Sequence, residues 1–154
     1  MNKLLVLLPL AALLSVACKK EGDIEPLQLT NKRWHLVGLT ATPEAIPLPV
    51  NVYDNYIQAC SKDDYIFYSA DSTVFYDDGV ERCDPTTPQR IAGVWRFRDN
   101  NKRLRMDGYT IAGVPVNEVD VLELTSNRMV ISYRYTDLTQ VPTPVIATGT
   151  LVTF

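Results

Sequence analysis

Apolar and polar side chains alternate strictly on both sides of the Asn100-Asn101 pair, and this pattern constrains the fold more than any other feature of the sequence. Asparagine tolerates the positive φ of a two-residue hairpin turn, so Asn100-Asn101 is a candidate turn. The apolar face of this hairpin then pairs Trp95 with Met106 and Phe97 with Leu104, and the other face pairs Arg96 with Arg105 and Arg98 with Arg103. A slip of one residue would move every side chain to the wrong face, so the pattern predicts an antiparallel hairpin in this register.

A second hairpin is predicted around Ser126-Asn127. With these two residues as the turn, Leu124 faces Met129 and Leu122 faces Ile131, while Val121 and Glu123 face away. The same register turns Asp120 inward, opposite Tyr133. A buried carboxyl needs a hydrogen-bond partner, so Asp120 is either a satisfied core group or the polar part of a ligand site.

Period-two alternation and turn residues together predict eight strands in the chain. The predicted strands are residues 33–40, 64–69, 73–77, 92–98, 102–107, 116–124, 128–136 and 145–153. Eight sequential antiparallel strands with short connections form either an up-and-down barrel or a sandwich. Residues 52–59, between the first two strands, are predicted to form a short helix with Tyr53, Tyr56 and Ile57 on one side, positioned to cover a barrel end.

The N-terminal segment has the organisation of an export signal. A positive start at Lys3 precedes an apolar run that ends in Ser15-Val16-Ala17, and this run is too short to span a membrane. Leu14-Ser15-Val16-Ala17-Cys18 resembles a bacterial lipobox, in which the cysteine is lipidated, although Ser15-x-Ala17 also suits cleavage without lipidation. The expected organisation is a signal peptide over residues 1–17, a lipidated Cys18 with a flexible polar tether over 18–30, and a β-barrel domain over 31–154.

The three cysteines support this organisation. Export delivers the chain to an oxidising compartment, where Cys60 and Cys83 are expected to form a disulfide, which leaves Cys18 for the lipid. The alternatives to a disulfide are that Cys60 and Cys83 are free thiols or that they bind a metal ion. Structural zinc needs about four ligands, and no Cys-x-x-Cys or His cluster exists, so no metal is predicted. The Asp63-Asp64 and Asp77-Asp78 pairs lack the spacing of a calcium loop.

Several short motifs recur in an order that resembles a known domain. They are Trp34 early in the first strand, Cys60-x-Lys62-Asp63-Asp64-x-Ile66-Phe67, Asp78-Gly79 before Cys83, Gly93-x-Trp95, and Leu122-x-Leu124-Thr125 with Met129-x-Ile131. Together, behind a lipobox, they resemble the lipocalin-like domain of Bacteroidota lipoproteins over nearly all of the mature chain. The resemblance implies an all-β, eight-stranded, up-and-down calycin-type barrel in which Trp34 closes one end. Acidic residues after the cysteine resemble tethers of outer-membrane lipoproteins, displayed on the cell surface or facing the periplasm.

The inward side chains of such a barrel either fill its core or line a ligand pocket. The candidate lining residues are Trp34, Leu36, Trp95, Phe97, Leu104, Met106, Asp120, Leu122, Met129, Ile131 and Tyr133. The sequence is therefore compatible with two functions. One is a lipid-anchored envelope module that binds a small hydrophobic ligand. The other is a structural or protein-interaction module of the outer membrane, with a filled barrel and no ligand.

The arginine face, comprising Arg96, Arg98, Arg103 and Arg105, places like charges opposite each other, which is unfavourable without compensation. Nearby carboxylates such as Glu123, Glu118 or Glu81 would produce a mixed-charge surface. Alternatively, the face binds an anion, either an acidic protein surface or lipopolysaccharide phosphate.

Enzymatic and nucleic-acid functions are not indicated by the composition. Without residues 1–17, which contain one basic residue, 14 Lys and Arg face 18 Asp and Glu, a mildly acidic balance that disfavours nucleic acid. The single histidine, His35, has no nucleophile motif beside it and is expected to be an outward-facing strand residue. No catalysis and no cofactor are predicted.

Overall fold

The computed structural model describes residues 24–111, 114–137 and 143–154 of the chain. In these ranges there are eleven strands, two one-turn α-helices and a 3-10 helix over Ala59–Ser61. The helices are α1 (Pro26–Leu29) and α2 (Tyr53–Tyr56). The strands are β1 (Arg33–Pro43), β2 (Val50–Asn51), β3 (Tyr65–Tyr68), β4 (Thr73–Asp77), β5 (Arg90–Arg98), β6 (Arg103–Met106), β7 (Thr110–Ile111), β8 (Val114–Pro115), β9 (Glu118–Leu124), β10 (Arg128–Asp137) and β11 (Thr143–Val152).

Eight of these strands form a closed antiparallel barrel, in the order β1, β3, β4, β5, β6, β9, β10 and β11. Pairing of β1 with β11 along most of its length closes the barrel, so none of these eight strands is left as a sheet edge. Each predicted strand overlaps one barrel strand, which confirms the eight-stranded, up-and-down, all-β prediction. The short strand β2 pairs beside β1, and β7 pairs with β8 as a separate small hairpin.

The β5–β6 hairpin has the predicted register. Trp95 pairs with Met106 and Phe97 with Leu104, and both turn asparagines have positive φ, 54° for Asn100 and 66° for Asn101. Leu104 and Met106 are fully buried, because this face lines the barrel interior. Alternation alone was therefore sufficient to position this hairpin.

The predicted β9–β10 register is correct only next to the turn. Leu124 pairs with Met129 as expected, but a bulge then shifts the pairing, so that Ile131 lies opposite Val121 instead of Leu122. A bulge adds one residue to one strand and exchanges the faces beyond it. Consequently Val121 is buried, with 6% of its surface exposed, whereas Leu122 faces outward and is 60% exposed.

The β3–β4 hairpin is apolar on both faces, and the barrel decides which face is buried. Ile66, Tyr68 and Val74 are buried in the interior. The outer face carries an aromatic pair, Phe67 and Phe75, whose ring centroids are 6.4 Å apart. This outer pair explains why alternation alone did not assign the inside of the hairpin.

The closed end of the barrel is sealed by α1 and Trp34. The Trp34 side chain is fully buried, and its Nε1–H donates a hydrogen bond to the Leu29 carbonyl at 2.8 Å. Leu29 is also fully buried, and the Lys32 ammonium donates to the carbonyls of Gln28 and Ser126. Trp34 closes this end as expected. The flexible tether was predicted over residues 18–30. Its described part, residues 24–30, instead packs on the barrel, because the buried Leu29 side chain joins the core from the segment before β1.

The opposite end, which we call the mouth, carries the longer connections between strands. Here α2 packs on the barrel, and the Tyr53 hydroxyl donates to the Leu36 carbonyl at 2.8 Å. A disulfide joins Cys60 in the 3-10 helix to Cys83 in the β4–β5 loop, as predicted, with Cα atoms 5.2 Å apart. Both the short helix and the disulfide are therefore confirmed, and they hold two mouth loops together.

A tight turn at Gly79 fits the same β4–β5 loop against the connection before β3. The Asp63 carboxylate accepts hydrogen bonds from the backbone N–H groups of Val80 and Glu81. Gly79 has φ of 69°, and a Cβ at this position would lie 2.5 Å from the Asp63 carboxyl carbon. Only glycine is therefore accommodated at this position without displacing its neighbours.

The predicted signal peptide and Cys18 lie outside the described residues. Within residues 24–111, 114–137 and 143–154, no helix is long and apolar enough to cross a membrane.

Candidate ligand-binding site

The barrel interior is packed at the closed end and hollow at the mouth. The core draws side chains from all eight barrel strands, and it includes six predicted lining residues that border neither chamber: Trp95, Phe97, Leu104, Met106, Met129 and Ile131. Tyr68 and Trp95 meet edge to face, with ring centroids 5.7 Å apart, and the Tyr68 hydroxyl contacts the Met106 sulfur at 2.9 Å. These side chains form core, and a ligand would have to lie nearer the mouth.

Two cavities occupy the mouth half. The first, which we call the polar chamber, measures about 520 Å³. Aromatic and aliphatic side chains form its inner wall, and acidic and amide groups from the mouth loops form its rim. Its lining includes Trp34, Leu36, Tyr56, Ile57, Gln58, Ser61, Asp64, Ile66, Tyr76, Asp77, Asp78, Ile91 and Tyr109.

The second cavity, which we call the apolar chamber, measures about 420 Å³. It lies between β1, β10 and β11, and only Thr136 and Asp137 add non-aromatic polar groups to its lining. The other lining residues are Leu39, Ala41, Val52, Tyr56, Val114, Tyr133, Tyr135 and Ala147. Tyr56 of α2 borders both chambers, so they adjoin at this side chain.

Tyrosines account for much of the chamber walls. Tyr76 and Tyr109 are stacked, with ring centroids 4.6 Å apart and planes 11° from parallel. Burial raises the pKa of the Tyr76, Tyr109 and Tyr133 hydroxyls above the ordinary value, which keeps them protonated at neutral pH. Each wall tyrosine therefore offers a ligand an aromatic surface and a neutral hydroxyl, although the Tyr76 hydroxyl already donates to the Asp107 carbonyl at 3.4 Å.

Asp64 is the most perturbed carboxyl group of the polar chamber. Burial, and then the negative charge of Asp78, raise its pKa to about 6, although a hydrogen bond from Ser61 acts in the opposite direction. Its Oδ1 atom is hidden from solvent and has no hydrogen-bond partner. Asp77 differs, because hydrogen bonds from Arg90, Tyr65 and the Gly79 N–H outweigh the effect of burial and lower its pKa.

We predict that Asp64→Asn stabilises the protein at pH 8 and has no effect at pH 4. A folded-state pKa above the ordinary value of 3.8 means that the fold favours the neutral acid, so stability is lost as the pH rises through about 6. Asparagine is neutral at every pH and avoids this loss. Since the side chain is partly solvated, screening limits the gain to about 1 kcal/mol. Thermal unfolding of both proteins between pH 4 and 8 measures it.

The matched control is Asp71→Asn, in the β3–β4 turn at the closed end. Hydrogen bonds from Thr73 lower the pKa of Asp71, so this carboxylate stabilises the fold when it is ionised. The control variant should show no gain in stability at any pH. Equal melting curves of Asp64→Asn and wild type at pH 8 would contradict the prediction.

Three of the predicted lining residues line the chambers, and two others face the outer surface. Trp34 and Leu36 line the polar chamber, and Tyr133 lines the apolar chamber. The prediction that Leu122 and Asp120 face inward is wrong. The bulge in β9 turns both side chains outward. Asp120 pairs with Ser132 in the sheet, and its carboxylate lies 3.2 Å from Arg103 on the outer surface.

Sequence reasoning missed several chamber residues. Tyr135 and Ala147 continue the alternation of predicted strands, and extending that pattern toward the mouth would have identified them. Tyr56, Asp64 and Tyr109 lie in or beside the mouth connections, where strand periodicity gives no direction for a side chain.

The arginine face is a mixed-charge surface. Arg103 lies 3.2 Å from both Glu118 and Asp120, Arg98 lies 3.8 Å from Glu118, and Arg105 lies 3.5 Å from Asp107. Glu123, an expected partner, instead pairs with Arg128. Carboxylates thus contact three of the four arginines, which favours the mixed-charge interpretation over the anion patch.

His35 lies on the outer face of β1, as expected, and borders neither chamber. Its ring is flanked by Tyr65 and Phe154, with centroid distances of 5.7 and 5.2 Å. Burial lowers its pKa, which favours the neutral imidazole. Among the residues that the structure describes, no three His, Cys, Asp or Glu side chains are grouped so as to hold a metal ion.

Among known proteins, similarity was found only to solved structures. No protein-family model matches the sequence, and no curated protein matches it. A complex of bovine odorant binding protein with undecanal is similar at 15% identity and a TM-score of 0.46, over 88% of this chain and 77% of that chain. The same bovine protein with its natural ligand is similar at 14% identity and a TM-score of 0.45, over the same shares. Its complex with a selenium-containing odorant covers 90% and 78%, at 14% identity and a TM-score of 0.42.

Proposed function

We propose that this protein is a binding module of the bacterial cell envelope that holds a small, largely apolar ligand in the mouth half of its barrel. The observation that carries the proposal is the pair of adjoining chambers, of about 520 and 420 Å³, in a barrel whose other half is densely packed. Ligand sites typically have volumes of about 300–1,000 Å³, apolar and aromatic walls and a few polar groups. The chambers match this description.

The proposed role is binding without catalysis. The position of the only histidine, His35, on the outer face supports this interpretation. A filled barrel that works only through its outer surface has less support, because the mouth half is hollow and carboxylates contact most of the arginine face.

We predict that Ala147→Phe weakens the binding of N-phenyl-1-naphthylamine, a neutral apolar fluorophore, by at least tenfold. Ala147 is buried and lines the apolar chamber, so a phenyl ring there would occupy the space of the ligand. Fluorescence titration measures the affinity. Ala41→Phe tests the same chamber from the paired position on β1, in case the first variant does not fold.

Thr148→Phe is the matched control, because Thr148 is the next residue on β11 and its side chain points away from the interior. The control should bind the fluorophore as wild type does. If both chamber variants fold and bind it with unchanged affinity, the ligand does not occupy the barrel mouth and the proposal fails.

Anchoring by a lipid on Cys18 is the second part of the proposal. The first described residue, Ile24, lies at the closed end, where its carbonyl accepts a hydrogen bond from the Asn101 side chain at 3.0 Å. Cys18 is within about 20 Å of extended chain from this point. A lipid at Cys18 would therefore hold the closed end toward an outer membrane and leave the mouth open to the aqueous side.

We predict that Cys18→Ala releases the protein from the membrane fraction and abolishes incorporation of labelled palmitate. Several acyl chains anchor a protein stably, so their loss should change its partitioning almost completely. Cell fractionation and metabolic labelling measure the two effects. A wild-type protein that incorporates no label, with a variant that remains in the membrane fraction, would contradict lipidation at Cys18.

Contact with an envelope protein is a second candidate function, favoured by one observation. The rim loop over residues 44–50 exposes three apolar side chains beside the mouth, namely Ile46 (62%), Leu48 (68%) and Val50 (55%). Neighbouring exposed apolar residues are typical of interaction surfaces. Such a contact is compatible with ligand binding in the chambers.

A further inference from the structure

The charged residues that line the two chambers, among those that the structure describes, are all acidic. The described lining residues include four carboxyl groups, those of Asp64, Asp77, Asp78 and Asp137, and no lysine, arginine or histidine. Arg90 neutralises Asp77 from the outer side, with a nitrogen–oxygen distance of 2.8 Å. No cation among the described residues forms an ion pair with Asp64 or Asp78. The polar chamber therefore presents negative charge to whatever enters it.

The Asp64 carboxyl group has unused capacity to accept hydrogen bonds. Its Oδ1 atom is shielded from solvent and unpartnered, and leaving a buried acceptor unpaired costs free energy. The groups near this carboxyl are Ser61 and Asp63 from its own segment, Asp77 and Asp78 from the end of β4, and Tyr109 from the segment after β6. On the outer side, the His35 ring is hydrogen-bonded to the Asp64 backbone, and burial lowers the pKa of His35 and so favours its neutral form. None of these groups is a cation, so no positive charge of the protein compensates this carboxylate, and a cation that enters the polar chamber would be attracted to it.

The walls beside Asp64 are aromatic. Tyr56, Tyr65, Tyr76 and Tyr109 line the polar chamber, and the Tyr76–Tyr109 stack forms part of one wall. The face of an aromatic ring carries partial negative charge and attracts ammonium groups. Carboxylate and aromatic rings in one cavity thus favour the same kind of ligand group.

The adjoining apolar chamber suits a hydrocarbon chain. Leu39, Ala41, Val52, Val114 and Ala147 contribute aliphatic surface there, and Tyr56 marks the boundary with the polar chamber. A ligand that fills both chambers needs one charged or strongly donating end and one apolar end. Its free energy of binding would come mainly from burial of the apolar end.

We infer that the ligand is a positively charged amphiphile, with an ammonium head against Asp64 in the polar chamber and a hydrocarbon chain in the apolar chamber. This inference rests on the proposed function and specifies the chemical class of its ligand. Anionic amphiphiles such as fatty acids bind poorly here, because their carboxylates meet only negative charge. Neutral amphiphiles bind with intermediate affinity through the chain alone.

Competition between three ligands of equal chain length tests the inference. Decylamine, decanol and decanoate are each titrated against bound N-phenyl-1-naphthylamine at pH 8, where Asp64 is ionised. Decylamine should bind at least tenfold more tightly than decanol, and decanoate more weakly than decanol. The preference for the amine should diminish between pH 7 and pH 5, because Asp64, with its pKa of about 6, becomes neutral.

Asp64→Asn is the test variant and should abolish the tenfold preference for decylamine over decanol. Asp71→Asn removes the same charge at the far end of the barrel and should retain the preference. Equal binding of amine and alcohol by wild type, or a preference that survives in Asp64→Asn, overturns the inference. If the inference fails but the neutral fluorophore still binds in the chambers, the proposed function stands. The proposed function itself fails only if Ala147→Phe and Ala41→Phe both fold and bind the fluorophore with unchanged affinity.

Discussion

Replacement of Trp34 by alanine is expected to lower the free energy of unfolding by about 4 kcal/mol, the largest effect that we predict for a single substitution. Trp34 has no exposed surface, and its indole N–H donates to the Leu29 carbonyl that ends α1. Alanine would leave a cavity at the closed end and an unpaired buried carbonyl. Urea unfolding followed by circular dichroism measures the change.

Two further variants separate the contributions of Trp34. Trp34→Phe retains much of the buried ring but loses the hydrogen bond, so it should cost less than Trp34→Ala. Leu27→Ala alters the same helix, α1, at a side chain that is 82% exposed, and should have almost no effect. A cost below about 1 kcal/mol for Trp34→Ala would mean that packing at this end contributes little to stability.

Removal of the disulfide by the double substitution Cys60→Ser and Cys83→Ser is expected to cost about 3 kcal/mol. The bond joins residues 23 positions apart, and a cross-link of this length restricts the unfolded chain. The corresponding decrease in melting temperature is about 10 °C for a domain of this size. Thermal unfolding by differential scanning calorimetry measures it.

Reduced wild-type protein provides the control for this double variant. Treatment with dithiothreitol should lower the melting temperature of wild type to that of the variant and leave the variant unchanged. Identical melting of oxidised wild type and the double variant would show that the cross-link does not stabilise the fold. Because the disulfide joins two mouth loops, the fluorophore affinity of the variant also reports whether these loops shape the chambers.

The barrel strands were predictable because their signal is local. A strand places alternate side chains on opposite faces, so residues 95–98 and 103–106 alone were sufficient to define a hairpin and its buried face. The bulge in β9 had no comparable signal. One inserted residue there exchanges the directions of Val121 and Leu122, and either register leaves an apolar residue inside.

The chambers were less predictable than the strands around them. Their aliphatic walls, such as Leu39 and Ala147, belong to predicted strands and follow the alternation. The groups that define their chemistry come from elsewhere: Tyr56 from a one-turn helix, Asp64 from the connection before β3, and Tyr109 from the segment after β6. Loop residues have no periodicity from which a direction can be inferred.

By itself, the sequence determined that the chain forms eight antiparallel strands with one buried face and a disulfide between Cys60 and Cys83. These properties depend on neighbours in the chain or on the chemistry of a residue type. Only the tertiary structure decided that the mouth half is hollow and that the charged groups lining its chambers, among the described residues, are all carboxylates. An empty volume, and the sign of the charge around it, depend on which distant segments meet when the barrel closes, and no local pattern encodes that meeting.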